Sequence, residues 1–349
     1  MQVILKTKRL SRTIKIDENE NILFAGLRQG LKLPYSCASG TCGTCQAKIV
    51  DGTFLDAWPS AVGKKFLPGD GNRLLMCQTL CKTDSELGII GSFGDCLDNV
   101  IIPQYYDATI TKEDRPTDDV MVFNTTVSDD FRYRSGQFAM IQIPGVKGWR
   151  AYSMSSMSKE AVSTEFLIKR VFAGEVSNWL FNGSNVGNRI RIFGPLGGSI
   201  LKPEEGDQNI YCICGGSGIA GIMAIIEDVC VNGHLKDNKM EVFFGLRSEK
   251  ENFLLDRLST FIEKANGALK VTIAYSEQDA LTEVQERFPY IKFEIGFVHE
   301  VAFRMIPNSG YVDSTWFLAG PPKLVDITEE HLLSTRNVCS SKIRLDRFG

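Results

Sequence analysis

Four cysteines carry the strongest chemistry in this sequence. Cys37, Cys42 and Cys45 follow one another as Cys-x4-Cys-x2-Cys, and Cys77 comes much later, within Leu75-Met76-Cys77-Gln78. This is the ligand spacing of a plant-type [2Fe–2S] cluster. Three thiolates on one loop and a fourth from a distant strand can hold two irons. The residues between them, Ala38-Ser39-Gly40-Thr41 and Gly43-Thr44, are small. Small residues let backbone N–H groups approach the sulfurs and stabilise the reduced, more negative state. A zinc knuckle usually pairs two Cys-x2-Cys units, and only one is present. Cys81 competes for the fourth position, but the place of Cys77 in the motif favours Cys77. Cys81 and Cys96 then read as buried thiols. Cys212, Cys214 and Cys230 lie in apolar patterns and read as core.

A second group of residues has the chemistry of a flavin site. Arg150-Ala151-Tyr152-Ser153 follows a strand pattern opened by Gly136-Gln137-Phe138. Ile168-Lys169-Arg170-Val171 and Gly174-Glu175-Val176-Ser177 come after it. An arginine can pair with a pyrophosphate through its fork of donors. A tyrosine ring can cover an isoalloxazine, and a serine hydroxyl can bond to flavin N5. Gly-x-x-Ser at a helix start offers N–H groups to a second phosphate. Each motif alone is weak, and a solvated arginine beside a core tyrosine would explain any one of them. The ordered set points to FAD.

A third group suits a dinucleotide. Gly215-Gly216-Ser217-Gly218 separates an apolar strand pattern from an apolar helix pattern, the setting a phosphate-cradling turn requires. Gly245-Leu246-Arg247 and Gly320-Pro321-Pro322 end two further strand patterns. Both would lie at the carboxyl edge of a sheet, where open α/β folds bind ligands. The run Leu246-Arg247-Ser248-Glu249-Lys250-Glu251 bears on nucleotide choice. Its two glutamates would repel a 2′-phosphate, which favours NADH. Arg247 and Lys250 keep NADPH as the minority alternative.

The elements that must position these groups fall into three segments, 1–98, 99–204 and 205–349. In the first, Val3–Leu5, Thr13–Ile16 and Gln46–Val50 read as strands. Asn21–Leu27 reads as a short amphipathic helix that stops at Gly30, and Asp51-Gly52 as a turn. The second segment alternates as strands at Asp107–Thr111, Val120–Thr126, Gln137–Ile143, Thr164–Val171 and Asn188–Phe193, which suggests an antiparallel β-barrel. In the third, strand patterns at Ile210–Cys214, Met240–Phe244, Leu269–Ala274 and Trp316–Ala319 alternate with helical stretches. That pattern indicates a parallel sheet in an α/β domain.

Composition narrows the function. A formal net charge of -3 gives no basic footprint for nucleic acid. No apolar run approaches the roughly 20 residues that span a bilayer, and the start lacks a signal-peptide pattern, so a cytoplasmic location without membrane attachment is expected. Ten cysteines in such a protein are metal ligands or buried thiols rather than disulfides. The only histidines are His234, His299 and His331. They do not form the paired motifs of a Rieske centre or the Glu-x-x-His helices of a di-iron carboxylate oxygenase. Thr328-Glu329-Glu330-His331 has the wrong spacing and reads as a solvated helix face. The chain would therefore supply electrons and leave oxygen activation to another protein.

With these motifs in this order, the chain resembles the reductase components of multicomponent bacterial aromatic-ring oxygenases, above all those of the carbazole-dioxygenase and toluene-monooxygenase type. Pro34-Tyr35-Ser36-Cys37-Ala38-Ser39-Gly40, Ala57-Trp58-Pro59 and Leu318-Ala319-Gly320-Pro321-Pro322 carry the likeness, and Asp346-Arg347-Phe348 matches the closing motif. The resemblance implies a multi-domain chain: a β-grasp [2Fe–2S] ferredoxin domain, an FAD-binding antiparallel barrel and an NAD-binding α/β domain. It places the cluster on Cys37, Cys42, Cys45 and Cys77. It places FAD against Arg150, Ala151, Tyr152, Ser153, Ile168, Lys169, Gly174, Val176 and Ser177. Tyr152, Ser153 and Phe348 would lie at the reacting ring. It lines the nucleotide site with Gly215, Gly216, Ser217, Gly218, Gly245, Arg247, Gly320 and Pro321.

Two positions depart from the family pattern. Ala319 stands where many relatives have Cys, which predicts slower or differently positioned hydride transfer. Gly221 stands where many have Pro, which predicts a looser helix start. The resemblance implies hydride transfer from NADH to FAD, then single electrons through the cluster at about −400 mV. The acceptor would be a Rieske ferredoxin, a Rieske oxygenase or a di-iron hydroxylase, docked at the rim around Cys37–Cys45. A non-oxygenase acceptor, in a dehydratase or desaturase system, is the enzymatic alternative, and a redox-sensing binding protein the non-enzymatic one. A monomer is expected.

Overall fold

The computed structural model describes residues 1–97, 100–158, 163–202 and 208–347. The chain divides into two compact units. One contains Met1–Asp107, Ala139–Ala151 and Ile190–Gly197; the other contains Ala108–Phe138, Tyr152–Arg189 and Gly198–Gly349.

The first unit is built on a five-stranded mixed sheet in the order Ser11–Lys15, Gln2–Lys6, Ser85–Ile89, Gln46–Asp51, Arg73–Leu75. Gln2–Lys6 runs parallel to Ser85–Ile89, and the other neighbours are antiparallel. Along Gln2–Lys6 the side chains alternate, so Val3 and Leu5 are fully buried, as period-2 geometry requires. The expected helix forms at Ile22–Arg28. Asn21 caps it, its side-chain oxygen accepting the Phe24 N–H at 2.8 Å. The helix is followed by Gly30 at φ +78, a left-handed residue that ends it. One helix buried on a mixed sheet is the β-grasp arrangement.

An aromatic cluster ties this unit together across long sequence distances. Phe24 of the helix stacks on Phe193 at 4.2 Å between centroids and meets the edge of Trp149 at 5.7 Å. Tyr105 packs on Phe193 at 4.7 Å, and its hydroxyl donates to Glu20 Oε1 at 3.0 Å. Glu20 also accepts from Arg28 Nε at 2.7 Å, so its nearly buried carboxylate is paired, as a buried charge must be.

The barrel-like sheet orders its six strands as Arg150–Ser153, Phe138–Gln142, Arg189–Leu196, Gln104–Thr117, Val120–Val127, Ser163–Lys169. Within the second unit, Val120–Val127 pairs antiparallel on both sides. Bulges between Ile110 and Lys112 and between Asp114 and Thr117 bend the long strand. The second unit also holds a six-stranded parallel sheet, ordered Ile291–Ile295, Leu269–Tyr275, Met240–Leu246, Asn209–Gly215, Ser314–Gly320, Ile343–Arg347. Asn209–Gly215 comes first in sequence and is central. The next three strands lie to one side and the last two to the other. The order therefore reverses between Asn209–Gly215 and Ser314–Gly320, the crevice where such sheets bind ligands.

Neither Arg73–Leu75 nor Ser85–Ile89 of the first sheet was foreseen from the sequence pattern, nor were three strands of the two six-stranded sheets. Arg150–Ser153 carries two polar residues, Arg150 and Ser153, in four. Ile291–Ile295 and Ile343–Arg347 are the two edges of the parallel sheet and interleave charged residues with apolar ones. Edge strands need less apolar surface, so their pattern is weak.

Candidate cluster, flavin and nucleotide sites

The four cysteine thiols come together as two pairs. The Sγ atoms of Cys45 and Cys77 are 3.2 Å apart. Cys37 Sγ accepts backbone N–H groups from Ser39, Thr41 and Cys42, each at 3.4 Å. Donation from the Cys42 thiol, helped by Thr41 and by the Ser39 and Cys42 N–H groups, outweighs burial and draws the Cys37 thiol below its ordinary range. Thiolate is the form of cysteine that ligates metal. Cys81 is not in either pair, and burial pushes its thiol up to about 11. Among the described residues, no group of three or more His, Cys, Asp or Glu side chains is arranged to hold a single metal ion. Two pairs fit two irons better than one zinc.

The loop that presents these thiols is packed tightly. The Gly63 N–H donates to the Gly40 carbonyl at 2.9 Å, and a Cβ on Gly63 would lie 2.7 Å from that oxygen. Gly43, at φ +75, lies under the Phe66 ring, where a Cβ would come within 2.8 Å of the ring. The segment Val62–Phe66 thus forms a lid over the loop. Val62 and Phe66 are both exposed, and Lys65 sits 5.0 Å above the Phe66 ring.

The strand Arg150–Ser153 leaves Arg150, Ala151 and Tyr152 half-buried, whereas Phe138–Ile141 of the neighbouring strand is buried throughout. The Arg150 guanidinium lies over Trp58 at 5.2 Å. Ser153 donates to Asp346 Oδ2 at 3.1 Å. Asp346 retains some solvent access, but the crowding around it pushes its carboxyl up to about 7, and the Ser153 bond only partly offsets this. The Gly174–Ser177 turn is closed on itself: Ser177 Oγ accepts the Val171 N–H at 3.1 Å and donates to the Gly174 carbonyl. Ile168 and Val176 are core residues, each 1% exposed. Phe348 lies outside the described residues.

At the switch point of the parallel sheet lies a cavity of about 560 Å³. Gly215, Gly216, Ser217, Gly245, Arg247, Gly320 and Pro321 all line it, as the sequence led us to expect. Gly218 packs beneath it: a Cβ there would lie 2.6 Å from the Ala319 carbonyl oxygen. Lys169, expected with the flavin group, stands in this cavity wall. Of the two glutamates held to disfavour a 2′-phosphate, only Glu251 faces the cavity. Glu249 is turned away, accepting the Thr282 N–H at 3.0 Å and Gln278 Nε2 at 2.7 Å. Burial works against the Glu251 charge, but Arg247 and Lys169 outweigh it and hold the carboxyl below its usual range.

Sequence reasoning missed the Phe297–Glu300 wall of the cavity and the Ser153–Asp346 contact. Both depend on unread edge strands, since Phe297 follows Ile291–Ile295 and Asp346 lies on Ile343–Arg347. The solvated-face reading of Thr328–His331 also needs correction. Thr328 is fully buried and bonds the Leu324 carbonyl at 2.7 Å, and His331 stacks on Phe303.

Comparison with known proteins agrees with this geometry. Residues 6–82 match the 2Fe-2S iron-sulfur cluster binding domain, 107–199 the oxidoreductase FAD-binding domain, and 212–330 the oxidoreductase NAD-binding domain. A ferredoxin–NAD(P)+ reductase of Metapseudomonas resinovorans is 29% identical, covering 94% of both chains. The reductase component of the naphthalene 1,2-dioxygenase/salicylate 5-hydroxylase systems of a Ralstonia species is 30% identical over 90% of this chain and 89% of its own. The solved ferredoxin reductase in carbazole 1,9a-dioxygenase superposes with a TM-score of 0.81 at 28% identity, covering 100% of this chain and 99% of that one. Fold and site together define an oxidoreductase that works with a nicotinamide nucleotide, FAD and a [2Fe–2S] cluster. The chain belongs to the ferredoxin–NAD(P)+ reductases that combine a plant-type ferredoxin domain with FAD- and NAD-binding domains. None of the described helices is long and apolar enough to cross a membrane.

Proposed function

We propose that this chain is the NADH-oxidising electron-transfer component of a multicomponent oxygenase, delivering single electrons to a Rieske ferredoxin, a Rieske oxygenase or a di-iron hydroxylase. The observation that carries this reading is the cradle of two thiol pairs on a chain that also has a dinucleotide cavity. Bound FAD would supply the exchange between a hydride pair and single electrons. The chain's own residues bind and orient. Cys37, Cys42, Cys45 and Cys77 hold the cluster. Arg150, Tyr152 and Ser153 hold the flavin, with Gly174, Val176 and Ser177 shaping its second edge. Gly215–Gly218, Gly245, Arg247 and Gly320 receive the nucleotide. The corresponding modules are 1–98, 99–204 and 205–349, which the family-model matches fall within.

The acceptor docks over the cluster loop. The exposed Val62 and Phe66, with the Lys65 ammonium over the Phe66 ring, offer a small apolar patch with one cation beside it. The relatives act in oxygenase systems, which favours an oxygenase partner over a dehydratase or desaturase.

The test is anaerobic reduction of the holoprotein by NADH, followed by EPR. The wild type should develop the signal of a reduced [2Fe–2S] cluster. Cys77→Ser should still bleach its flavin absorbance with NADH but give no cluster signal. Absence of a cluster signal from the wild type would remove the reading. Adding candidate acceptors then separates the partners: a reduced Rieske signal identifies one class, a mixed-valence di-iron signal the other.

A further inference from the structure

The nucleotide cavity is lined by three cationic side chains, Lys169, Arg247 and Lys323, and by two carboxylates, Glu251 and Glu300. One of these carboxylates, Glu251, engages both Arg247 and Lys169. It accepts from Arg247 Nε at 2.5 Å and from a terminal guanidinium nitrogen, and it lies 3.6 Å from Lys169 Nζ. The Glu251 side chain is 15% exposed and that of Arg247 60%, so the carboxylate lies beneath the guanidinium. Lys169 has a second anionic neighbour, Asp119, at 3.2 Å. Arg247 follows directly after the strand Met240–Leu246, which neighbours the central strand Asn209–Gly215. In doubly wound sheets this is where the ribose 2′ position is read, by an acid for a hydroxyl or by an arginine for a phosphate. Both kinds of group are present here, and they are bonded to each other.

We propose that Glu251 sets the choice of nucleotide by occupying Arg247, the guanidinium that would otherwise receive a 2′-phosphate, while Lys169 beside it is shared between Glu251 and Asp119. The chain thus carries a latent 2′-phosphate site centred on Arg247 and masked by Glu251. The argument rests on the cavity being the dinucleotide site, and it goes further by naming the group that discriminates. An arginine fork and a lysine point charge are the usual partners of a phosphate. A carboxylate bonded to the Arg247 fork withdraws it and also repels the incoming phosphate. Glu249 takes no part, because it is turned toward Thr282 and Gln278.

The test compares adenosine 5′-monophosphate with adenosine 2′,5′-bisphosphate by titration calorimetry on the FAD- and cluster-loaded protein. The readout is the ratio of the two affinities. Glu251→Gln keeps the side-chain volume and removes the charge. It should raise the preference for the bisphosphate by about tenfold or more, equivalent to about 1.4 kcal/mol. Adding Arg247→Gln should abolish most of that gain. A ratio unmoved by Glu251→Gln, or a gain that survives in the double variant, would overturn the proposal. Failure of the wild type to bind either the monophosphate or NADH would instead remove the assignment of the cavity. The ratio of kcat/KM for NADPH over NADH should rise in parallel.

Discussion

At the scale of single residues, the contact between Ser153 and Asp346 has a measurable consequence. A free aspartate titrates near about 3.9, whereas burial pushes Asp346 up to about 7. Because the folded-state value is raised, the folded protein keeps a proton that the unfolded chain has already released. Its contribution to stability is full below about 4 and is lost as pH rises toward about 7. Asp346→Asn removes the titration. Urea midpoints measured for both proteins between those values should fall with pH more steeply for the wild type than for the variant. Parallel curves would mean that Asp346 titrates like an exposed carboxylate. The cluster ligands were legible at this scale because their spacing is itself the signal. The Ser153–Asp346 pair was not, because its members are separated by 193 positions.

At the scale of elements, two glycines have opposite roles. Gly221 lies in the helix Ile219–Val231, and a Cβ there would meet Gly136 Cα and O and Ser153 Cβ, all at 3.7 Å. That is ordinary van der Waals distance, so the position needs no glycine. Gly221→Ala should stabilise the protein by about 0.5–1 kcal/mol, through helix propensity and the lower entropy of the unfolded chain. Gly136 is different. Its φ is +96, and a Cβ would run into the Ser199 carbonyl oxygen. Gly136→Ala should destabilise by more than about 1 kcal/mol. Denaturant midpoints check both signs. Gly221 read from sequence as a looser helix start; in the fold that helix is buried for most of its length, and its packing does not depend on a proline.

At the scale of the molecule, the aromatic cluster of Phe24, Tyr105, Trp149 and Phe193 joins three stretches of chain into the first unit. Phe24 is 1% exposed at its centre. Phe24→Ala should cost about 3–5 kcal/mol, the range for a large core side chain that leaves a cavity. Denaturation of the variant should begin at lower urea, with Trp149 exposed in the same transition, read by tryptophan fluorescence. A variant as stable as the wild type would show that this cluster contributes little. Nothing in the sequence pattern singles out these four residues, because Phe24, Tyr105 and Phe193 are ordinary positions in their own elements and Trp149 lies in the loop before Arg150–Ser153.

Some properties were determined by the sequence alone. The thiol spacing around Cys42, the helix cap at Asn21 with its stop at Gly30, the glycine turn after Cys214 and the strand periods all express backbone geometry over a few residues, and local residue order specifies that geometry. Tertiary structure decided which side chains converge. Glu251 faces the cavity while Glu249, two positions earlier, turns away. Lys169 joins the nucleotide wall, and Asp346 reaches Ser153 from the last strand of the sheet. Each of these depends on strand order and on which face of an element is buried. Those are set by packing between segments that are far apart in the chain, so no local pattern records them.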